Sequence, residues 1–122
     1  MLSGLSASSS GQGPVIANKG LEIPEEQIEA TKEEALSGSG PAAFKLFDYY
    51  EIVSVDRAKS LYWATIAAEN DYPPGMYSLG FKLAKENDRL SRIRARYWLE
   101  KAKKNGEPLA GDILKELDSS KP

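Results

Sequence analysis

From residue 24 onward, apolar stripes of helical spacing alternate with short polar or glycine-rich breaks. Ile28, Ala35 and Leu36 share one side of a helix over 24–36, in which Pro24 suits the first helical position and Glu25, Glu26 and Glu29 favour the positive helix start. Ser37-Gly38-Ser39-Gly40 ends it. Pro41 opens a second helix over 41–51, with Ala42, Ala43, Leu46, Phe47 and Tyr50 spaced to face a core. The β-branched run at 52–55 reads as a connector. Asp56 is a good N-cap for a third helix reaching residue 69, and Asn70-Asp71-Tyr72-Pro73-Pro74 closes it. A fourth helix covers 74–85, followed by a turn at 87–91 from which Ser91 caps a fifth helix to residue 104, and Asn105-Gly106 supplies a left-handed stop. A sixth helix covers 108–117. No segment alternates with period two, so the expected fold class is all-α, with about six antiparallel helices on short loops.

The pattern also repeats. Leu61-Tyr62-Trp63-Ala64-Thr65-Ile66-Ala67-Ala68 returns as Arg96-Tyr97-Trp98-Leu99-Glu100-Lys101-Ala102-Lys103. Gly75-Met76-Tyr77-Ser78-Leu79 answers both Ala42-Ala43-Phe44-Lys45-Leu46 before it and Ala110-Gly111-Asp112-Ile113-Leu114 after it. A unit of about 34 residues built from two helices is the mark of a helical solenoid, which presents extended surfaces to partners. Small residues at Ala42, Gly75 and Ala110 let paired helices approach, and Trp63 and Trp98 offer large apolar plates to the next unit. Glycine inside a helix costs about 1 kcal/mol relative to alanine, so Gly75 and Gly80 need a packing reason.

Composition narrows the chemistry. The chain has 122 residues, room for one domain, and sixteen basic against eighteen acidic side chains give a net charge of −2, with no electrostatic footprint for nucleic acid. Cysteine and histidine are absent, which removes thiol nucleophiles, imidazole bases, disulfides and the usual zinc ligands. Glu33 with Glu34, or Asp48 with Glu51, can lie close together, but nothing in the sequence raises a carboxylate pKa or builds a pocket between them. No glycine-rich phosphate cradle stands between a strand and a helix. The expectation is a non-enzyme with no cofactor and no metal. No window holds the roughly eighteen apolar residues that a membrane-spanning helix needs.

Residues 1–22, rich in Ser and Gly, read as a flexible tether, 23–117 as the helical domain and 118–122 as a frayed end. The tether is either a remnant of expression engineering or the mature end of an exported protein whose signal was removed. The second origin places the protein in the periplasm; the alternative is the cytoplasm.

Val53-Ser54-Val55-Asp56-Arg57-Ala58-Lys59-Ser60, the pairs Tyr62-Trp63 and Ala67-Ala68, and then Leu79-Gly80, Arg94-Ala95, Tyr97-Trp98 and Ala102 through Asn105-Gly106 resemble the Sel-1-like repeat family, relatives of the tetratricopeptide repeats. Ser60 stands where that pattern has Ala, and the second connector is about two residues longer. The resemblance covers 35–117 and implies a short right-handed superhelical solenoid of antiparallel helix pairs. It also implies a concave face lined by the first helix of each unit, with positions two before and two after the repeated Leu looking inward. Around Leu46, Leu79 and Leu114 this gives a row of Phe44, Tyr77 and Asp112 and another of Asp48, Phe81 and Glu116, with Glu51 and Lys85 farther along, an aromatic and acidic groove. The same aromatics can also simply fill the core of a short solenoid. Arg89, Arg92, Arg94 and Arg96 cluster near the longer connector, as a guanidinium patch at the groove's rim or as a solvated helix start.

In function, the resemblance implies a non-catalytic protein-binding module; the terminal helices over 24–36 and 108–117 read as polar caps, so a monomer is expected. Small Sel-1-like proteins of this kind look like bacterial immunity proteins that neutralise a cognate toxin, such as a phospholipase effector of type VI secretion. A scaffold or adaptor for envelope or signalling components is the alternative.

Overall fold

The computed structural model of the protein describes residues 20–119. Among them, six α-helices and one π-helical turn follow one another without a strand: α1 (Glu25–Leu36), α2 (Gly40–Asp48), the π turn (Tyr49–Val53), α3 (Arg57–Glu69), α4 (Pro73–Ala84), α5 (Arg89–Lys104) and α6 (Leu109–Ser119). The all-α expectation holds. No helix among the described residues is long and apolar enough to cross a membrane. Most of the expected tether lies outside the described residues, and the chain becomes buried at Ile23.

Local chemistry sets the helix boundaries. The Ser39 side chain accepts a hydrogen bond from the Ala42 amide (3.1 Å) with Pro41 beside it in the first turn, and Asp56 Oδ1 accepts from the Lys59 amide (3.1 Å). Both satisfy amides that a helix start leaves without an internal partner. At α5 the structure corrects the expected cap. Asp88, not Ser91, is the N-cap, and its Oδ2 accepts from the Ser91 amide at 2.9 Å, so the helix starts at Arg89. Gly38 and Gly106 take positive φ values of 118° and 96° after α1 and α5, the left-handed stops that glycine allows without strain. Helix α6 continues past Leu117 through Asp118 and Ser119; residues 120–122 lie outside the described residues.

The principal contacts run between sequence neighbours, from α1–α2 through α5–α6, and between alternate helices α1–α3, α2–α4 and α4–α6. This is the nearest-neighbour arrangement of a helical-repeat fold. The repeat visible in the sequence is reproduced in the packing. Tyr62 and Trp63 meet edge to face at 4.9 Å and 85°, and Tyr97 and Trp98 do the same at 5.0 Å and 83°. In each pair the tryptophan is buried and the tyrosine is half-exposed.

Glycine marks the closest approaches. A β-carbon on Gly75 would stand 2.5 Å from the Ala67 β-carbon, and one on Gly80 would stand 2.6 Å from Leu99 Cγ. Helix α4 is therefore pressed against α3 on one side and α5 on the other. Leu46, Met76 and Leu99 are fully enclosed in the resulting core. Polar ties are few and specific: Asn70 Nδ2 donates to the Ala35 carbonyl at 2.9 Å, joining the ends of α3 and α1.

Trp63→Ala and Trp98→Ala should each lower stability by about 3–5 kcal/mol, because each removes a buried plate between units. Urea denaturation followed by circular dichroism measures this, and a loss below about 1 kcal/mol would show that the tryptophans are not the contacts between units.

Candidate functional site

A cleft of about 710 Å³ opens where α4 crosses the end of α2 and the start of α3. Tyr77 and Phe81 of α4 and Lys85, its C-cap, recur every fourth residue and so share one helix face. The rings of Tyr77 and Phe81 stack at 6.0 Å and 25°, and Lys85 Nζ rests 4.3 Å from the centre of the Phe81 ring. Facing them are Phe47 of α2, Glu51 of the π turn and Arg57, Ala58 and Leu61 of α3. Lys82 closes the junction. Its Nζ donates to Glu51 Oε1 at 2.9 Å and lies 5.9 Å from the Phe47 ring centre.

The wall that carries Glu51 departs from regular helix. The run read as a connector at 52–55 instead continues α2 as a π turn, so Ile52 and Val53 belong to the helix end. The Ser54 amide donates to the Tyr49 carbonyl at 2.9 Å and the Asp56 amide to the Tyr50 carbonyl at 2.8 Å. Val55 reverses the chain at φ 54°, a left-handed conformation that strains a β-branched residue. Wider π turns and strained residues of this kind gather at functional sites, and here Glu51 of the π turn lines the cleft.

Two carboxylates near this wall titrate in opposite directions. Burial acts to raise the pKa of Glu51, but hydrogen bonds from Lys82 and Ser60 and the positive charges of Lys82 and Arg57 outweigh it and hold the carboxyl below its usual range. The Ser60 hydroxyl has one proton to give and also lies 3.0 Å from the Arg57 carbonyl oxygen, so Lys82 is the firmer partner. Burial, reinforced by the charge of Glu51, pushes Asp48 up. Glu51 thus adds stability at neutral pH that is lost as pH falls through its lowered folded-state value. Asp48 does the reverse: its charged form is penalised in the fold, and the penalty is relieved as pH falls through its raised value.

Of the ten residues expected to bind a partner, Glu51, Tyr77, Phe81 and Lys85 line this cleft. The others are placed elsewhere. Phe44 packs against Phe47 at 5.3 Å and Tyr72 at 5.5 Å, joining the edge of the core. Asp48 is half-buried beside Glu51 without lining the cleft, and Asp112 and Glu116 are exposed on α6. The arginine cluster disperses. Arg89 is exposed at the start of α5, Arg92 donates to the Leu117 carbonyl at 3.2 Å, Arg96 pairs with Asp118, and Arg94 lies 4.5 Å from the Tyr97 ring centre. Arg92 and Arg96 thereby hold the negative end of α6.

Sequence reasoning missed Arg57 and Lys82, and it assigned Phe47 to the core alone. Lys82 sits five residues after Tyr77, off the row of residues flanking Leu79, so the row rule passes over it. The cleft is consequently aromatic and basic on its α4 wall rather than aromatic and acidic. Comparison of the chain with family models, curated proteins and solved structures finds no match.

Asp48→Asn should raise the urea midpoint at neutral pH, and this gain should shrink as pH falls through the aspartate range, because the wild-type carboxyl then takes up its proton in the folded state. Midpoints measured across that range check it; a gain that is constant with pH would contradict the burial argument.

Proposed function

We propose that the protein is a non-catalytic protein-binding module of Sel-1-like type, acting as an immunity protein that occupies and blocks a cognate secreted bacterial toxin in the periplasm. The observation that supports it is the cleft of α2, α3 and α4. It pairs stacked, half-exposed aromatic rings on α4 with charged side chains at the edge. Aromatic anchors inside a polar rim are the composition of recognition surfaces, where a few such residues dominate the binding energy. The cleft's carboxylates are Glu51, tied to Lys82, and exposed Glu86, which lends itself to holding a partner more than to acid–base chemistry.

A scaffold is the second reading, favoured by exposed apolar side chains outside the cleft. Tyr62 of α3 and Leu90, Ile93 and Tyr97 of α5 are all well exposed, so a second partner has a place to sit. An immunity protein binds one partner at nanomolar strength or tighter, and a scaffold binds several at micromolar strength.

The test is capture of partners from the source organism's lysate with the wild-type chain and with Tyr77→Ala/Phe81→Ala, after circular dichroism has shown the variant to be folded. The expected result is one dominant stoichiometric partner whose affinity falls at least about 30-fold in the variant. Several weak partners would favour the scaffold, and one tight partner insensitive to the variant would rule out the cleft.

A further inference from the structure

We infer that the cleft receives an acidic segment of its protein partner, a carboxylate side chain set beside an aromatic or aliphatic anchor; this rests on the binding role proposed above.

The charge inside the cleft opposes that of the chain. The whole sequence carries −2, yet the cleft is lined by Arg57, Lys82 and Lys85 against Glu51 and Glu86. Lys82 ties Glu51 at 2.9 Å and Arg57 adds its charge to the same carboxylate, which leaves Lys85 as an exposed cation of the cleft, with Glu86 next to it in the chain. Among the described residues, neither Arg57 nor Lys85 forms an ion pair. Lys85 instead spends its cationic head on the Phe81 ring, 4.3 Å from its centre, where it is exposed and ready to accept a carboxylate from outside.

The anchor site lies next to it. Tyr77 and Phe81 form a stacked pair, and Lys85 Nζ rests 4.3 Å from the Phe81 ring centre, so anchor ring and cation are adjacent. An extended segment advances about 3.3 Å per residue, so an apolar side chain on the rings and a carboxylate on Lys85 would lie within about two residues of each other.

The test is selection from a random-peptide phage library on the wild-type protein, followed by fluorescence anisotropy with a synthetic peptide of the enriched sequence. The comparison proteins are Lys85→Glu and Phe81→Ala, each checked for folding by its urea midpoint; Lys85 is exposed, so its reversal should leave the fold intact. The expected outcome is enrichment of acidic peptides with an apolar residue within about two positions of a carboxylate. Their affinity should fall about tenfold in Lys85→Glu, with a smaller effect at high salt, and should be largely lost in Phe81→Ala. A basic or uncharged sequence whose binding is lost in Phe81→Ala would overturn the acidic assignment and leave the cleft as the docking site. Enriched peptides indifferent to Phe81→Ala would overturn both. No enrichment would overturn recognition of a linear acidic segment while leaving the lysate test of the cleft to stand on its own.

Discussion

Helix α4 has no room for one more methyl group on either of its packed sides. Gly75 meets Ala67 and the backbone at Ala68 on α3, and Gly80 meets the Leu99 side chain on α5. A glycine within a helix is a local penalty, so its presence at both contacts means that close packing of three helices outweighs propensity. Gly40 makes the same kind of contact at the start of α2, where a β-carbon would fall 2.6 Å from Tyr72 Cβ. The stack is thus drawn tight around α4, and the remaining face of that helix is left to present Tyr77, Phe81 and Lys85. The cleft exists because the glycine contacts determine how deeply α4 sits between its neighbours.

The far wall of the cleft is built on different terms. The π turn at Tyr49–Val53 and the left-handed Val55 are both costly, and they are held by two backbone hydrogen bonds and by the Lys82–Glu51 pair that reaches across to α4. The ion pair is partly exposed, so it contributes little to overall stability and more to the register of the two walls. Rigid helix contacts on one side and a strained, ion-paired turn on the other place aromatic rings and cationic side chains around one opening. A chain of net negative charge in this way acquires a locally basic cleft.

Much of this fold was legible because its punctuation is local. Pro41 near the start of α2, Asp56 before α3 and Gly106 after α5 act through neighbouring residues, and the recurrence of Tyr62-Trp63 as Tyr97-Trp98 reports a repeat that the packing then realises in near-identical ring geometry. The demand that Gly75 and Gly80 serve close packing was likewise legible. Less so was anything decided between elements. Asp88 and Ser91 are both good caps, and only the backbone path chooses Asp88. The β-branched run at 52–55 does not distinguish a connector from a π turn. The groove rule linked Tyr77 and Phe81 to Asp112 and Glu116 on α6, whereas the cleft faces α2 and α3 and draws its cations from Arg57 and Lys82. Arg92, Arg94 and Arg96 near the second connector were absorbed by the end of α6 and by the Tyr97 ring, contacts that no spacing along α5 announces.

The most direct test of the close-packing account compares three glycine-to-alanine variants by urea denaturation: Gly75→Ala, Gly80→Ala and Gly111→Ala. Gly111 also lies in a helix, but a β-carbon there would meet nothing nearer than Lys103 Cε at 3.7 Å. The account predicts that Gly111→Ala stabilises by up to about 1 kcal/mol through helix propensity, while Gly75→Ala and Gly80→Ala each destabilise by about 1–3 kcal/mol despite the same local gain. Stabilisation of similar size in all three would contradict it, since α4 would then have room that the packing denies.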